Sequence, residues 1–183
     1  MATPSVNETS TNVKNFIPSE PTSMTILCID LGTTTGWAIH TTNGGITSGS
    51  ISFKPSRFDG GGMRFLKFKQ WLTSVLYFVN NIDAVYYEEV RRHLGTDAAH
   101  TYGAFWGHLS AWCEKNNIPY EGVPVGTIKR HITGKGNANK QLVINAVKNL
   151  GHQPVDDNEA DAIALLRWVL DTRMNIKISK GDF

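Results

Sequence analysis

From Met24 to Leu170 the apolar and polar positions fall into regular periods, whereas the first 23 residues show none. Thr25-Ile26-Leu27-Cys28-Ile29-Asp30 is a short apolar run rich in β-formers that ends on a carboxylate ahead of Gly32. This pattern predicts a buried strand with an acid at its tip. Strand-like segments over 36–40 and 46–53 follow, joined by Thr42-Asn43-Gly44-Gly45, whose Asn-Gly pair signals a hairpin. A three-stranded antiparallel meander is expected. Residues 54–62 hold Pro55, Ser56 and three consecutive glycines and predict a flexible loop. After it Phe65, Phe68, Leu72, Val75 and Val79 recur at helical spacing.

The second half alternates. Asp83-Ala84-Val85-Tyr86-Tyr87-Glu88 predicts another strand ending in an acid, and 99–114 a helix with Tyr102, Trp106, Leu109 and Cys113 along one face. A short strand over 119–125 and a helix over 138–150 come next, with Gly151 in the position of a C-terminal cap. A last helix is predicted over 158–170. Helices alternating with strands after a meander define an α/β protein with a sheet of mixed strand direction.

Composition bounds this picture. With 183 residues, 40% of them hydrophobic and 19% charged, the chain suits one soluble domain. Residues 1–23 are rich in Ser, Thr, Asn and Pro, too polar to offset the entropy of ordering, so they predict a disordered tail before a domain over 24–172 and a second tail over 173–183. Cys28 and Cys113 lie inside apolar runs without CxxC spacing, which argues against disulfides and zinc. No apolar run approaches the length needed to span a bilayer, and no secretory signal is evident; a cytoplasmic protein without membrane contact is expected.

Four acids carry the chemical argument. Asp30 and Glu88 end buried-looking apolar runs, where an unpaired carboxylate is expensive unless a cation or donor meets it. Asp157 and Asp161 are four apart at the start of the final helix and share one face, where like charges repel unless a cation lies between them. Oxygen-only sites without His or Cys favour hard ions, so Mg2+ is expected, with Mn2+ as a substitute. Two such ions per site would suit in-line phosphoryl displacement, and the expected chemistry is phosphodiester hydrolysis.

The formal net charge is only +2, but it is unevenly distributed. Segment 121–150 carries Lys129, Arg130, Lys135, Lys140 and Lys148 against Glu121, and segment 54–69 carries Lys54, Arg57, Arg64, Lys67 and Lys69 against Asp59, each a net of +4. The stretch Thr133 to Lys140, with its small residues, suits close approach of backbone N–H and ammonium groups to phosphates. Arg91 and Arg92, just beyond Glu88, are further candidates for holding a DNA backbone.

Ile29-Asp30-Leu31-Gly32 with Gly36, Tyr87-Glu88-Glu89-Val90, Thr127-Ile128-Lys129 with 134–140, and Glu159-Ala160-Asp161-Ala162 together resemble the RuvC family of Holliday junction resolvases, within the RNase H-like superfamily, most closely its small phage-encoded members. The resemblance implies an RNase H-like fold, with a five-stranded mixed sheet flanked by helices, and a homodimer. It further implies magnesium-dependent symmetrical nicking of four-way junctions, in the host cytoplasm if the gene is a phage's. It assigns Asp30, Glu88 and Asp161 to metal binding and Lys129 and Lys140 to the flank of the active site. The family pattern and the strand register prefer Glu88 over Glu89. For the fourth ligand, Asn158 stands where bacterial members usually carry Asp; Asp157 is taken here, with Glu159 and Asp156 as alternatives. Arg91 replaces the aromatic that bacterial members place at the junction centre, which leaves a broader range of branched DNA open.

Two rival functions remain. Asp30 to Gly36 also resembles the first phosphate loop of actin-like ATPases and sugar kinases, but those close two lobes around a nucleotide and this chain has room for one, so no nucleotide cofactor is expected. A non-catalytic junction-binding protein would leave the acids without a purpose.

Overall fold

The computed structural model describes residues 24–91 and 95–174. The predicted tail over 1–23, Arg92 and residues 175–183 of the second predicted tail lie outside the described residues. Five strands and five helices follow in the order β1 (Ile26–Asp30), β2 (Thr34–His40), β3 (Ile46–Ser52), α1 (Met63–Val79), β4 (Ala84–Glu89), α2 (Thr96–Lys115), β5 (Tyr120–Pro124), α3 (Val125–Thr133), α4 (Lys140–Asn149) and α5 (Asp157–Thr172). The sheet order is β3-β2-β1-β4-β5. β1, β2 and β3 form the expected antiparallel meander, while β4 and β5 run parallel to β1.

The hairpin between β2 and β3 turns through Asn43-Gly44. Gly44 has φ 83° and donates its N–H to the Thr41 carbonyl at 2.8 Å, a backbone shape that favours glycine. The helix α3 has no counterpart among the elements expected from the sequence. It follows β5 without a loop, starts after Pro124, buries Ile128 and ends at Gly134.

Strand alternation divides the core into two layers. Ile26 and Cys28 of β1, Ala38 of β2 and Ala84 of β4 face α3, α4 and α5. Leu27 and Ile29, Ile39 and Val85 face α1 and α2, where Phe68, Leu72, Phe105, Leu109 and Trp112 pack. The first layer is dominated by α5, whose Ala160, Ala162, Ile163, Leu165, Leu166, Val169 and Leu170 are all buried. Burying each such Leu or Ile stabilises the fold by about 1.5–3 kcal/mol, so α5 carries a large share of the packing energy. The chain packs two residues beyond α5, with Met174 against this layer and Arg173 paired to Glu121. Cys28 and Cys113 are buried free thiols. Among the described residues no helix is long and apolar enough to cross a membrane.

Candidate active site

The parallel pairing of β1 with β4 brings two acids to one edge of the sheet. The register runs through Ile29 opposite Tyr87, and Asp30 and Glu88 are the next residues on each strand. Because Cys28 and Tyr86 face the α5 layer, the period of two turns Asp30 and Glu88 to that same face and Glu89 to the other. Glu89 pairs there with Arg91 at 3.0 Å.

The N-terminus of α5 comes down on this edge because β2 has no side chain at Gly36. A Cβ built at Gly36 would sit 1.8 Å from the Asn158 carbonyl oxygen and 2.8 Å from the Glu159 nitrogen. Only a glycine lets the first turn of α5 lie against the strand that pairs with β1, and Gly36 is the register partner of Asp30. Asp157 and Asp161 are thereby held near Asp30.

The electrostatics show how near. Desolvation, then repulsion from Asp161 and Asp157, raises the Asp30 carboxyl from its ordinary 3.8 to about 7. Burial, followed by repulsion from Asp30 and Asp161, raises Glu88 from 4.5 to about 8, with Lys129 opposing. Burial likewise raises Asp161 to about 6 against the pull of Lys129, with Asp157 adding to the rise. Asp157 behaves differently: the hydrogen bond from the Lys140 ammonium holds its carboxyl below the ordinary value. Three acids on three elements therefore crowd one site with more negative charge than Lys129 and Lys140 balance.

Such a surplus of hard oxygen donors fits a divalent cation, which would lower all three raised carboxyls at once. Among the described residues, however, no group of three or more His, Cys, Asp or Glu side chains has the spacing of a ready metal cage. The fit rests on donor type and unbalanced charge.

The other acids of α5 are engaged elsewhere. Asp156 caps the helix by accepting the Glu159 N–H at 2.8 Å. Glu159 is buried, and its carboxylate accepts the Ser48 hydroxyl at 2.6 Å and the Val155 N–H at 2.7 Å. Asn158 offers its backbone to Gly36. Of the positions weighed for a fourth ligand, both Asp157 and Asp156 repel the Asp30 carboxylate, Asp157 the more strongly.

Lys129 projects from α3 and acts on Glu88 and Asp161, while Lys140 opens α4 and pairs with Asp157. Arg130 and Lys135 are nearby in sequence, on α3 and the loop after it. The sequence pattern places Tyr102 only in an aromatic stripe on α2. Its hydroxyl in fact donates to the Glu88 carbonyl at 3.0 Å and accepts the Val90 N–H at 3.3 Å, pinning the strand end that carries Glu88. Phe105 belongs to the core, and Trp106, half exposed, donates its indole N–H to the Tyr87 hydroxyl at 2.8 Å.

A meander of three strands continued by two parallel strands, with helices on both faces and acids at the edge of β1 and β4, is the RNase H-like fold. Two solved structures of RuvC from Thermus thermophilus share it. One, in complex with a Holliday junction substrate, is 23% identical with a TM-score of 0.63, over 77% of this chain and 89% of that one. The other is 21% identical with a TM-score of 0.64, over 82% and 98%. No family model matches the sequence, and no curated protein matches it either. The likeness is one of fold: a RuvC-like sheet with its helices.

Proposed function

We propose that the protein is a metal-dependent endonuclease that resolves four-way DNA junctions, and other branched DNA, by symmetrical phosphodiester hydrolysis. The observation that carries this reading is the convergence of Asp30, Glu88 and Asp161 on one sheet edge with their carboxyls raised by burial and mutual repulsion. An isolated cluster of this kind destabilises a fold, and perturbed groups of this sort gather at functional sites. Asp30, Glu88, Asp157 and Asp161 would hold two Mg2+ ions, which when bound supply charge neutralisation and activation of a water nucleophile. Lys129 and Lys140 stand beside these acids and favour the negative charge that develops on a phosphate under attack. Arg91, Arg92, Arg130 and Lys135 supply phosphate contacts that position the duplex arms. Two symmetrical cuts in one junction require two sites, so the acting species is a homodimer.

The test is cleavage of a panel of four-way, three-way, flap and linear duplex DNAs in Mg2+ by the wild type and Asp161→Asn. The expected result is paired nicks in the four-way junction by the wild type, and binding without cutting by Asp161→Asn. Junction affinity should fall steeply between about 50 and 200 mM salt as counterions are released. Cutting retained by Asp161→Asn, or equal cutting of linear duplex, would refute the reading.

A further inference from the structure

The second basic segment, 54–69, has no part in the site described above, yet it leaves the sheet at the same edge. β3 ends at Ser52, paired with Thr34, and the Phe53 N–H bonds the Thr33 carbonyl at 2.7 Å, in the turn that directly follows Asp30. Phe53 itself is buried against Phe68, Trp71 and Phe105 and roots the loop in the core.

The loop is built and fixed. Asp59 accepts the Ser56 N–H at 2.9 Å and the Lys67 ammonium at 2.8 Å, and its own N–H bonds the Ser56 carbonyl at 3.1 Å. The one acid of the segment is thus committed to α1, and among the described residues Lys54, Arg57, Arg64 and Lys69 have no carboxylate within ion-pair distance. At the tip, Phe58 is 83% exposed. The Arg57 guanidinium stands 4.6 Å from its ring centroid, and Arg64 lies 5.9 Å from that of Phe65. Gly60, Gly61 and Gly62 beside it have open space where a Cβ would be.

Other exposed aromatics differ. Tyr77 and Phe78 lie at the far end of α1, next to an apolar groove lined by Trp37, Ile39, Val75 and Val79, with no basic residue lining it. Among the described residues Phe58 alone combines an offered ring, an arginine against it, surrounding uncompensated cations and a fixed turn at the edge of the acids. An aromatic face flanked by cations is the chemistry that binds single-stranded nucleic acid, where a base stacks on the ring and the backbone phosphates meet the charges.

We propose that the loop 54–62 is a second DNA-binding element, in which Phe58 stacks on an unpaired base at a branch point while Arg57 and Arg64 hold the adjoining phosphates. This deepens the branched-DNA reading and rests on it for the branch point. It assigns Phe58 a role in selecting substrates that offer an unstacked base over continuous duplex.

The experiment measures fluorescence anisotropy in EDTA for a four-way junction, a single strand and a linear duplex, with 2-aminopurine at the branch. The proteins are the wild type, Phe58→Ala, Phe58→Trp and Arg57→Gln. Phe58→Ala should weaken junction and single-strand binding about tenfold and leave duplex binding within about twofold, and it should abolish the 2-aminopurine change. Phe58→Trp should bind as the wild type does, and Arg57→Gln should flatten the salt dependence by about one phosphate contact. Phe58→Ala binding the junction and single strand like the wild type overturns the inference and leaves the nuclease reading intact. Binding of single strands through Phe58 without any preference for the junction supports the loop and overturns the branched-DNA reading. Wild type that binds no DNA, or a Phe58-dependent affinity for anionic lipid vesicles with DNA binding unaffected, overturns it.

Discussion

Replacing Glu88 by Gln should make the metal-free protein more stable, because the native site holds Glu88 in a place that resists its charge. Its carboxyl is raised from 4.5 to about 8 by burial and by Asp30 and Asp161. A folded state that binds a proton more tightly than the unfolded state loses stability as pH rises from the unfolded value through the folded one. At pH 7.5 the interval already crossed is about three pH units, and at ~1.4 kcal/mol each the ceiling is about 4 kcal/mol. Asp30 and Asp161 share the same repulsion, and a buried amide keeps a polar desolvation penalty, so the net gain should be about 2 kcal/mol. That corresponds to roughly 4–8 °C in Tm for a domain of this size. The assay is thermal or urea unfolding of wild type and Glu88→Gln in EDTA at pH 5 and pH 8. The variant should lead by little at pH 5 and by the full amount at pH 8, and added Mg2+ should raise the wild type alone. A variant less stable than the wild type at pH 8, or a gap that does not change with pH, would refute the electrostatic account of the site.

Gly36→Ala should lower stability by roughly 2–3 kcal/mol and weaken Mg2+-dependent stabilisation, since α5 must withdraw from β2; unfolding with and without Mg2+ reads both. Glu159→Gln should cost about 1–2 kcal/mol by weakening the bonds from Ser48 and Val155 yet keep junction cleavage, and lost cleavage with an intact fold would return Glu159 to the metal site. The cleavage rate should rise between about pH 6 and pH 8 as Asp161, Asp30 and Glu88 ionise, because protons compete with the metal. A flat profile over that range would count against those carboxyls as ligands.

Much of this architecture is legible in the periodicity alone. β1 and β4 stand out as apolar runs tipped by acids, and the Asn43-Gly44 pair marks the meander without help from any distant residue. α3 escapes because Val125, Gly126 and Thr127 open it, two β-branched residues around a glycine, and in so short a segment the spacing of Ile128 and Ile132 is a weak signal; tertiary packing of Ile128 decides it. The site is legible as residue types, but not in its wiring. Nothing in the spacing of Lys140 and Asp157, 17 residues apart, announces their ion pair, and nothing local distinguishes Glu159, committed to Ser48 111 residues away, from its neighbours. Tyr102 is visible as an aromatic on a helix face, while its grip on the Glu88 strand depends on how α2 crosses β4.

The place of α5 in the chain bears on how the molecule is made. It is the last of the ten described elements, it supplies Asp157 and Asp161, and it provides nearly half of the buried residues of one core layer. A nascent chain from which α5 has not yet emerged therefore lacks a large part of one core layer as well as two of the four clustered acids. On the nuclease reading proposed above, cutting competence and a completed fold would arrive in the same event, and translation itself would act as a safety catch against a partly made molecule able to cut DNA.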